Sequence, residues 1–468
     1  LSQNIEVSLS VTRNSLHGAN GGVSSAGDDT DHHAQKFKRR FMVRLMAVLF
    51  GGAFLDGYIL GIIGPLTSTI SESLLLSALW LGAITAAVMG GIFLGAPLGG
   101  WAADRWGRKP VFTANLALFT AASVLQFFID TPWLLCIVRV LMGIAIGCEY
   151  SVSWALLSEF VSAKIRGRLL SAHQIAWYVG FMVAYAVGDL LVKNTTLSWQ
   201  VILGTSTFIS LVVLILRIGM PESPRWLWSV GRKADALRVA RKYMHDDAQV
   251  DLESEVVQKG RYADLFSRQH WRKTLFVCVY YACAIIPYFA IGTFAEDVLR
   301  QFGLSGGLAG GVGLSAVAVT GVVVMYLLID RTGRRPLIVV SMWVFTAALA
   351  VISLWGGAPP VAVLVLFLIF SFSNAIPTAM GGVFPPELYP TEIRAKGGGF
   401  MMAVSRVAAG IGVFLFPQAI ENLGMGETMM IATAIALVGS IIAQWLAPET
   451  RGLTLTSASG VHVDKSPN

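Results

Sequence analysis

The chain is 468 residues long, 55% hydrophobic and only 13% charged, with a mean hydropathy of +0.65. Soluble proteins carry about 25% charged residues, so this composition excludes an ordinary water-surrounded fold and points to lipid as the solvent. The net charge of +7 does not signal nucleic acid, because the cations cluster in alternate gaps between apolar runs, as in loops held on the cytoplasmic side of a membrane.

Residues 1–35 are polar, rich in Ser, Gly, Asn and Asp, and show no cleavable signal peptide. With the basic collar Lys36, Lys38, Arg39 and Arg40 they read as a disordered cytoplasmic tail reaching residue 41. Apolar runs then predict spanning helices near 42–66, 78–103, 110–130, 133–157, 169–192 and 199–220. After a polar, basic stretch they resume near 273–294, 306–329, 336–355, 360–384, 397–418 and 428–447. The expected organisation is a six-helix bundle over 42–220, a cytoplasmic linker with short amphipathic helices over 221–272, a second bundle over 273–447 and a cytoplasmic tail over 448–468. The fold class is therefore all-α integral membrane, twelve transmembrane helices in two pseudo-symmetric six-helix bundles.

Glycines recur every four residues at Gly91, Gly95 and Gly99 of the second helix and at Gly143 and Gly147 of the fourth. Without Cβ atoms these backbones can approach closely, which is how helices pack where lipid offers no hydrophobic drive. The four cysteines all fall inside apolar runs and read as buried thiols.

Two charged turns organise the loops. Gly100-Trp-Ala-Ala-Asp104-Arg105-Trp-Gly107-Arg108-Lys109-Pro110 and Asp330-Arg331-Thr-Gly333-Arg334-Arg335-Pro336 each lie two helices into their half, which suggests a duplicated bundle. Glu159 precedes Arg166 by seven residues, as Glu387 precedes Arg394, and Arg168 follows in the first half. Each half closes on a further acid–arginine segment, Pro221-Glu222-Ser-Pro-Arg225-Trp-Leu227 and Pro448-Glu449-Thr-Arg451-Gly452. These motifs resemble the signature loops of the major facilitator superfamily, in the branch of sugar porters and of phosphate and organic-acid:proton symporters. The second copy departs from the pattern at Tyr326, where the first has Gly100.

The resemblance implies alternating access between two halves, with no cofactor. The carboxylates among these arginines are expected to latch helix ends on the cytoplasmic face and to release when that side opens. Asp104 would meet the start of the eleventh helix at Gly397–Gly399, where the helix dipole favours an anion. The plainer alternative is solvated charge that only fixes topology, since exposed pairs are individually weak.

Four ionisable residues fall inside apolar runs: Asp56 in the first helix, Arg139 and Glu149 in the fourth, Arg406 in the eleventh. Each costs roughly 2.5–3.5 kcal/mol on the most lenient insertion scale and is a functional candidate for that reason. Asp56 and Arg406 count to mid-membrane, with Arg139 nearer the outer side and Glu149 nearer the cytoplasm. An aspartate beside an arginine in low dielectric is held ionised; away from it, desolvation favours the protonated form. Asp56, Arg139 and Glu149 are therefore the candidates for proton coupling, against the alternative of a fixed ion pair that only orients two helices. The first-helix stretch Asp56-Gly-Tyr-Ile59 resembles the D-G-Y-D pattern of aromatic-acid and phosphate symporters, with Ile59 at the second acidic position.

Arg406 suits a carboxylate or other oxyanion; the alternatives are a pair with Glu296 or Asp297, or a backbone carbonyl. Gln174, Trp177, Tyr280, Tyr281, Tyr288 and Asn374 are the candidate walls of a central substrate site. A sugar reading is weakened by a seventh helix without a run of Gln and Asn and a tenth helix without tryptophan. The expected function is proton-coupled symport of a small organic anion, a carboxylate with an aromatic body among the options. A sugar or polyol carrier and a non-transporting nutrient sensor are the alternatives. Neither an enzyme nor a metal protein is expected, since the histidines show no metal spacing and no nucleotide loop is present. The expected setting is a bacterial inner membrane, both termini cytoplasmic, as a monomer whose partners are substrate, protons and lipid.

Overall fold

Long apolar segments in lipid must satisfy every backbone N–H and C=O internally, and helices are how this chain does so. A computed structural model describes residues 25–160, 163–244, 261–303, 311–355, 357–382 and 384–451. The first six spanning helices are α1 (Ser25–Ile62), α2 (Ala78–Trp106), α3 (Arg108–Leu125), α4 (Pro132–Phe160), α5 (Ala163–Asn194) and α6 (Trp199–Arg217). The second six are α7 (Trp271–Thr293), α8 (Gly313–Thr332), α9 (Arg334–Leu354), α10 (Pro360–Met380), α11 (Thr391–Leu423) and α12 (Met425–Leu446). Among the described residues eleven helices are long and apolar enough to cross a membrane, and α8 supplies a shorter apolar run, Gly313–Ile329.

The duplication is visible in which helices touch. In the first half α1 packs on α5 and α6, α4 on α2 and α3, and α3 on α6. Adding six to each label gives the packing of the second half: α7 on α11 and α12, α10 on α8 and α9, and α9 on α12. The halves meet through the symmetric pairs α2–α11 and α8–α5. The α2–α4 seam is built on glycine, since a Cβ at Gly91, Gly95, Gly143 or Gly147 would collide with backbone of the facing helix.

Among the differences from the sequence expectation, three bear on the loops and the site. α1 begins at Ser25, inside the segment expected to be disordered, and residues 1–24 lie outside the described residues. α6 is broken at Thr205, whose hydroxyl meets Tyr58 Oη of α1 at 2.7 Å. α11 begins at Thr391, so Gly397–Gly399 lies within the helix rather than at its N-terminus. In the linker, helices Pro224–Ser229 and Lys233–Tyr243 form, and the second buries Ala236 and Ala240 on one face as its spacing predicts.

The face opposite the basic loops is closed by bonds between the halves. Tyr185 Oη (α5) donates to Gly292 O at 2.6 Å and Thr293 O at 3.1 Å (α7). Thr67 Oγ1, just past α1, donates to Asp297 Oδ2 at 3.1 Å.

Candidate functional site: a charged cavity between the halves

A cavity of about 430 Å³, counted with the solvent-open space at its mouth, lies where both halves meet. The first half contributes Tyr150 from α4 and Gln174, Trp177 and Tyr178 from α5. The second half contributes Tyr281, Ile285 and Phe289 from α7, Thr378 from α10, and Met402 and Arg406 from α11. The spacings are helical: Gln174–Trp177–Tyr178, Tyr281–Ile285–Phe289 and Met402–Arg406 each present one face inward.

Among the described residues, Arg406 is the one charged residue lining this cavity. It is 5% exposed, and its Nε and Nη1 are buried without a hydrogen-bond partner. Its guanidinium carbon lies 5.4 Å from the Tyr150 ring and 5.6 Å from the Phe289 ring, within reach of the cation–π attraction. Burying a cation against aromatic faces while leaving its donors unused is costly unless an anion completes the site.

Behind this cavity stands a pair of acids. Asp56 is 1% exposed, and neither carboxylate oxygen has a hydrogen-bond partner. The ionisable groups nearest in effect are Glu149 and Arg406. Glu149, also 1% exposed, accepts from Ser153 Oγ at 2.8 Å and from Asn115 Nδ2 at 3.4 Å. It fits against α1 only because residue 52 is glycine: a Cβ there would occupy the position of Glu149 Oε1.

Arg139 is not the counter-charge of Asp56 that the sequence suggested. Its Nε donates to Ile84 O of α2 at 3.0 Å. The reason is its helical face: Arg139, Gly143 and Gly147 recur at four-residue intervals and all turn toward α2. Glu296 and Asp297 do not pair with Arg406 either; Glu296 bonds Arg300 at 2.7 Å and Asp297 receives Thr67.

Of the other residues expected to form walls, Tyr288 lines a separate space of about 350 Å³ toward the closed face. Tyr280 and Asn374 line neither cavity. Tyr280 stacks on Phe276 with centroids 4.8 Å apart, and Asn374 Nδ2 donates to Ala284 O at 3.0 Å, tying α10 to α7. Tyr150, Tyr178 and Thr378 line the central cavity although the sequence reading did not single them out. Their signal was the helical register, since Thr378 sits one turn from Asn374 and Tyr178 one turn from Gln174.

The loop motifs form two equivalent clamps. Glu222 Oε1 accepts the backbone N–H of Arg108 at 2.9 Å and of Lys109 at 3.1 Å, capping α3. Glu449 does the same for α9, accepting from Arg334 N at 3.0 Å and Arg335 N at 3.1 Å. Gly107 (φ +102°) and Gly333 (φ +93°) precede these helices in a conformation that suits glycine, and a Cβ at either would strike the clamp carboxylate. Arg108 and Arg334 also donate back to Ala103 O and Ile329 O, five residues earlier in each copy. Arg334 makes a two-pronged pair with Glu387, at 3.2 and 3.0 Å. Partial burial pushes Glu449 up, but the N–H groups of Arg334, Arg451, Arg335 and Thr450 outweigh it and hold the carboxyl below its usual range.

The carboxylates of these clamps therefore act within each half. Asp104, 77% exposed at its side chain, pairs with Arg108 at 2.9 Å rather than with α11, and Trp226 Nε1 donates to its carbonyl. Arg105, Arg331 and Arg451 are exposed, Arg225 is half-buried, and Gly100 lies against Ser151. The side chains of Glu159, Arg168, Asp330 and Arg394 lie outside the described residues.

Comparison with known proteins agrees with this architecture. Residues 43–461 match the family described as "Sugar (and other) transporter". The chain is 33% identical over 422 residues to the inner membrane metabolite transport protein YgcS of Escherichia coli K12, covering 90% of this chain and 95% of that protein. It is 34% identical over 416 residues to the putative metabolite transport protein YaaU of the same strain, covering 88% and 93%. Among solved structures, the partially occluded inward-open xylose transporter XylE from E. coli superposes with a TM-score of 0.76 at 21% identity, covering 89% of this chain and 100% of that one. The major facilitator superfamily proton:xylose symporter XylE bound to 6-bromo-6-deoxy-D-glucose gives 0.73 at 20%, covering 91% and 99%. With twelve helices in two matched halves around a central cavity, this chain has the fold of the XylE structures and belongs to the sugar (and other) transporter family.

Proposed function

We propose that the protein is a proton-coupled carrier of a small organic anion, moved by alternating access across a bacterial inner membrane with both termini cytoplasmic. The observation that carries this reading is Arg406: buried in the cavity between the halves, with two guanidinium nitrogens unpartnered. A carboxylate entering the cavity would take the two-pronged contact that a planar guanidinium offers. Tyr150, Trp177, Tyr281 and Phe289 would enclose the body of the substrate, which suits an aromatic or apolar one.

Asp56 supplies the coupling. Ionised, it balances Arg406 from the first half. When a proton binds Asp56, that negative charge disappears, and a substrate carboxylate replaces it without leaving net charge in the cavity. Proton and anion therefore enter and leave together. The bonds Tyr185–Gly292 and Thr67–Asp297 hold the outer face shut and must break when the site opens outward.

Sugar or polyol transport is the second reading. Relatives include the major myo-inositol transporter IolT of Bacillus subtilis, 26% identical over 446 residues, and Gln174 and Thr378 offer neutral hydrogen-bond partners in the cavity. Ligand-dependent thermal stabilisation of the purified carrier separates the two. With benzoate, the anion reading expects stabilisation that is lost in Arg406→Ala and weakened at least tenfold in apparent affinity by Arg406→Lys, about 1.4 kcal/mol. Stabilisation by myo-inositol or xylose, undiminished in Arg406→Ala, with no response to carboxylates, establishes the sugar reading instead.

A further inference from the structure

Arg217, in the last turn of α6, is a buried cation that the site above does not use. It is 2% exposed, and its Nε and Nη2 are buried without a hydrogen-bond partner. A cation at a helix end ordinarily serves the terminal carbonyls. Here Arg44 of α1 does that, donating to Leu216 O at 2.9 Å and to Ile218 O. Arg217 instead turns inward, its guanidinium carbon 4.3 Å from the Phe112 ring of α3.

The face of α3 gives Arg217 its place. Glu222 caps the helix at Arg108 and Lys109, Arg217 lies over Phe112, and Glu149 receives the amide of Asn115. Residues 108, 112 and 115 share one side of the helix over roughly 10 Å of its length. Acid, base and acid thus succeed one another from the membrane surface to the proton site, and the charges acting on Arg217 are those of Glu149 and Glu222.

The second half provides a control. Its clamp glutamate, Glu449, is present, but five residues earlier stands Gln444 where the first half has Arg217. Ten residues before Glu387 stands Pro377, where Glu149 stands ten before Glu159, and Ile338 and Ser341 replace Phe112 and Asn115. Both halves carry the clamp glutamate, and at these equivalent positions the first half alone carries the inner charges.

We propose that Arg217 is a positioning residue: the fixed counter-charge of Glu149, tying the proton site to the Glu222 clamp on the basic face. Motion of the end of α6 when that face opens or closes then changes the field at Glu149 directly. The inference rests on the proton-coupled reading above. The groups facing Glu149 are Asp56 from α1, Arg217 from α6, Cys148 on its own helix and the neutral Asn115 from α3. His173 on α5 packs edge-on against Phe50, six residues before Asp56 on α1, and α2 meets Cys148 through the backbone at Gly99.

The test needs no substrate. Infrared difference titration of the full-length carrier in lipid follows the C=O stretch of buried protonated carboxyls, with Glu149→Gln and Asp56→Asn assigning the bands. In Arg217→Gln the Glu149 midpoint should move to higher pH by about one unit or more, the scale of losing a nearby opposite charge. Arg217→Lys should move it less. An unchanged Glu149 midpoint in Arg217→Gln overturns the inference and leaves the anion site at Arg406 standing; if neither acid titrates, the proton-coupled reading falls with it. Thermal unfolding decides the matter if Arg217→Gln is too unstable to titrate. The double variant Arg217→Gln/Glu149→Gln should then recover stability, whereas losses that merely add overturn the assignment.

Discussion

At the residue scale, the site depends on which atoms are absent as much as on those present. Gly52 makes room for the Glu149 carboxylate against α1, so Gly52→Ala should displace it. Overpacking of this kind costs about 1–3 kcal/mol, to be seen as a lower melting temperature together with lost proton-driven uptake. A Gly52→Ala carrier with unchanged stability and uptake would show that Glu149 has another place to go. The charged residues themselves were legible, because Asp56, Glu149 and Arg406 interrupt apolar runs. Their partners were not. Depth along a helix set Arg139 beside Asp56, whereas rotation about the axis sends Arg139 to Ile84. Arg217 escaped notice because a cation ending an apolar run resembles an ordinary flank.

At the scale of elements, the charged turns are helix caps before they are anything else. Glu222 and Glu449 each satisfy two N–H groups at the start of α3 and α9, donors that a helix cannot satisfy internally. Glu449 is held below the usual carboxyl range, so its contribution to stability is complete above the unfolded-state value of about 4.3 and is lost as pH falls through the lower folded value. Melting temperature in detergent should therefore decline on the acid side in the parent protein, and the part due to this group should vanish in Glu449→Gln. An identical acid limb in the two proteins would remove Glu449 from the explanation. The sequence showed the repetition of these motifs but suggested a contact of Asp104 with the start of α11 that the described residues do not make. Asp104 pairs with Arg108 four residues along, the nearest cation on its own side, and α11 starts early enough to place Gly397–Gly399 inside a helix.

For the whole molecule, the fold followed almost entirely from hydropathy and the repeated turns. Twelve apolar runs and two equivalent loops specify two bundles, and the contacts obey the same sixfold shift of label in both halves. What hydropathy could not give was the closed face opposite the basic loops, because Tyr185, Thr67 and Asp297 meet only when the halves are assembled. Cysteines introduced as Thr67→Cys and Asp297→Cys should cross-link on oxidation, halt transport and release it on reduction. Uninterrupted transport by the cross-linked carrier would mean that this face does not open. The central claim, that Asp56 and Arg406 couple a proton to an anion across the cavity, is tested most directly by benzoate flux in proteoliposomes under an imposed pH gradient. Asp56→Asn should lose accumulation against the gradient while keeping benzoate exchange at equal concentrations. Undiminished acid-driven accumulation in Asp56→Asn would contradict it.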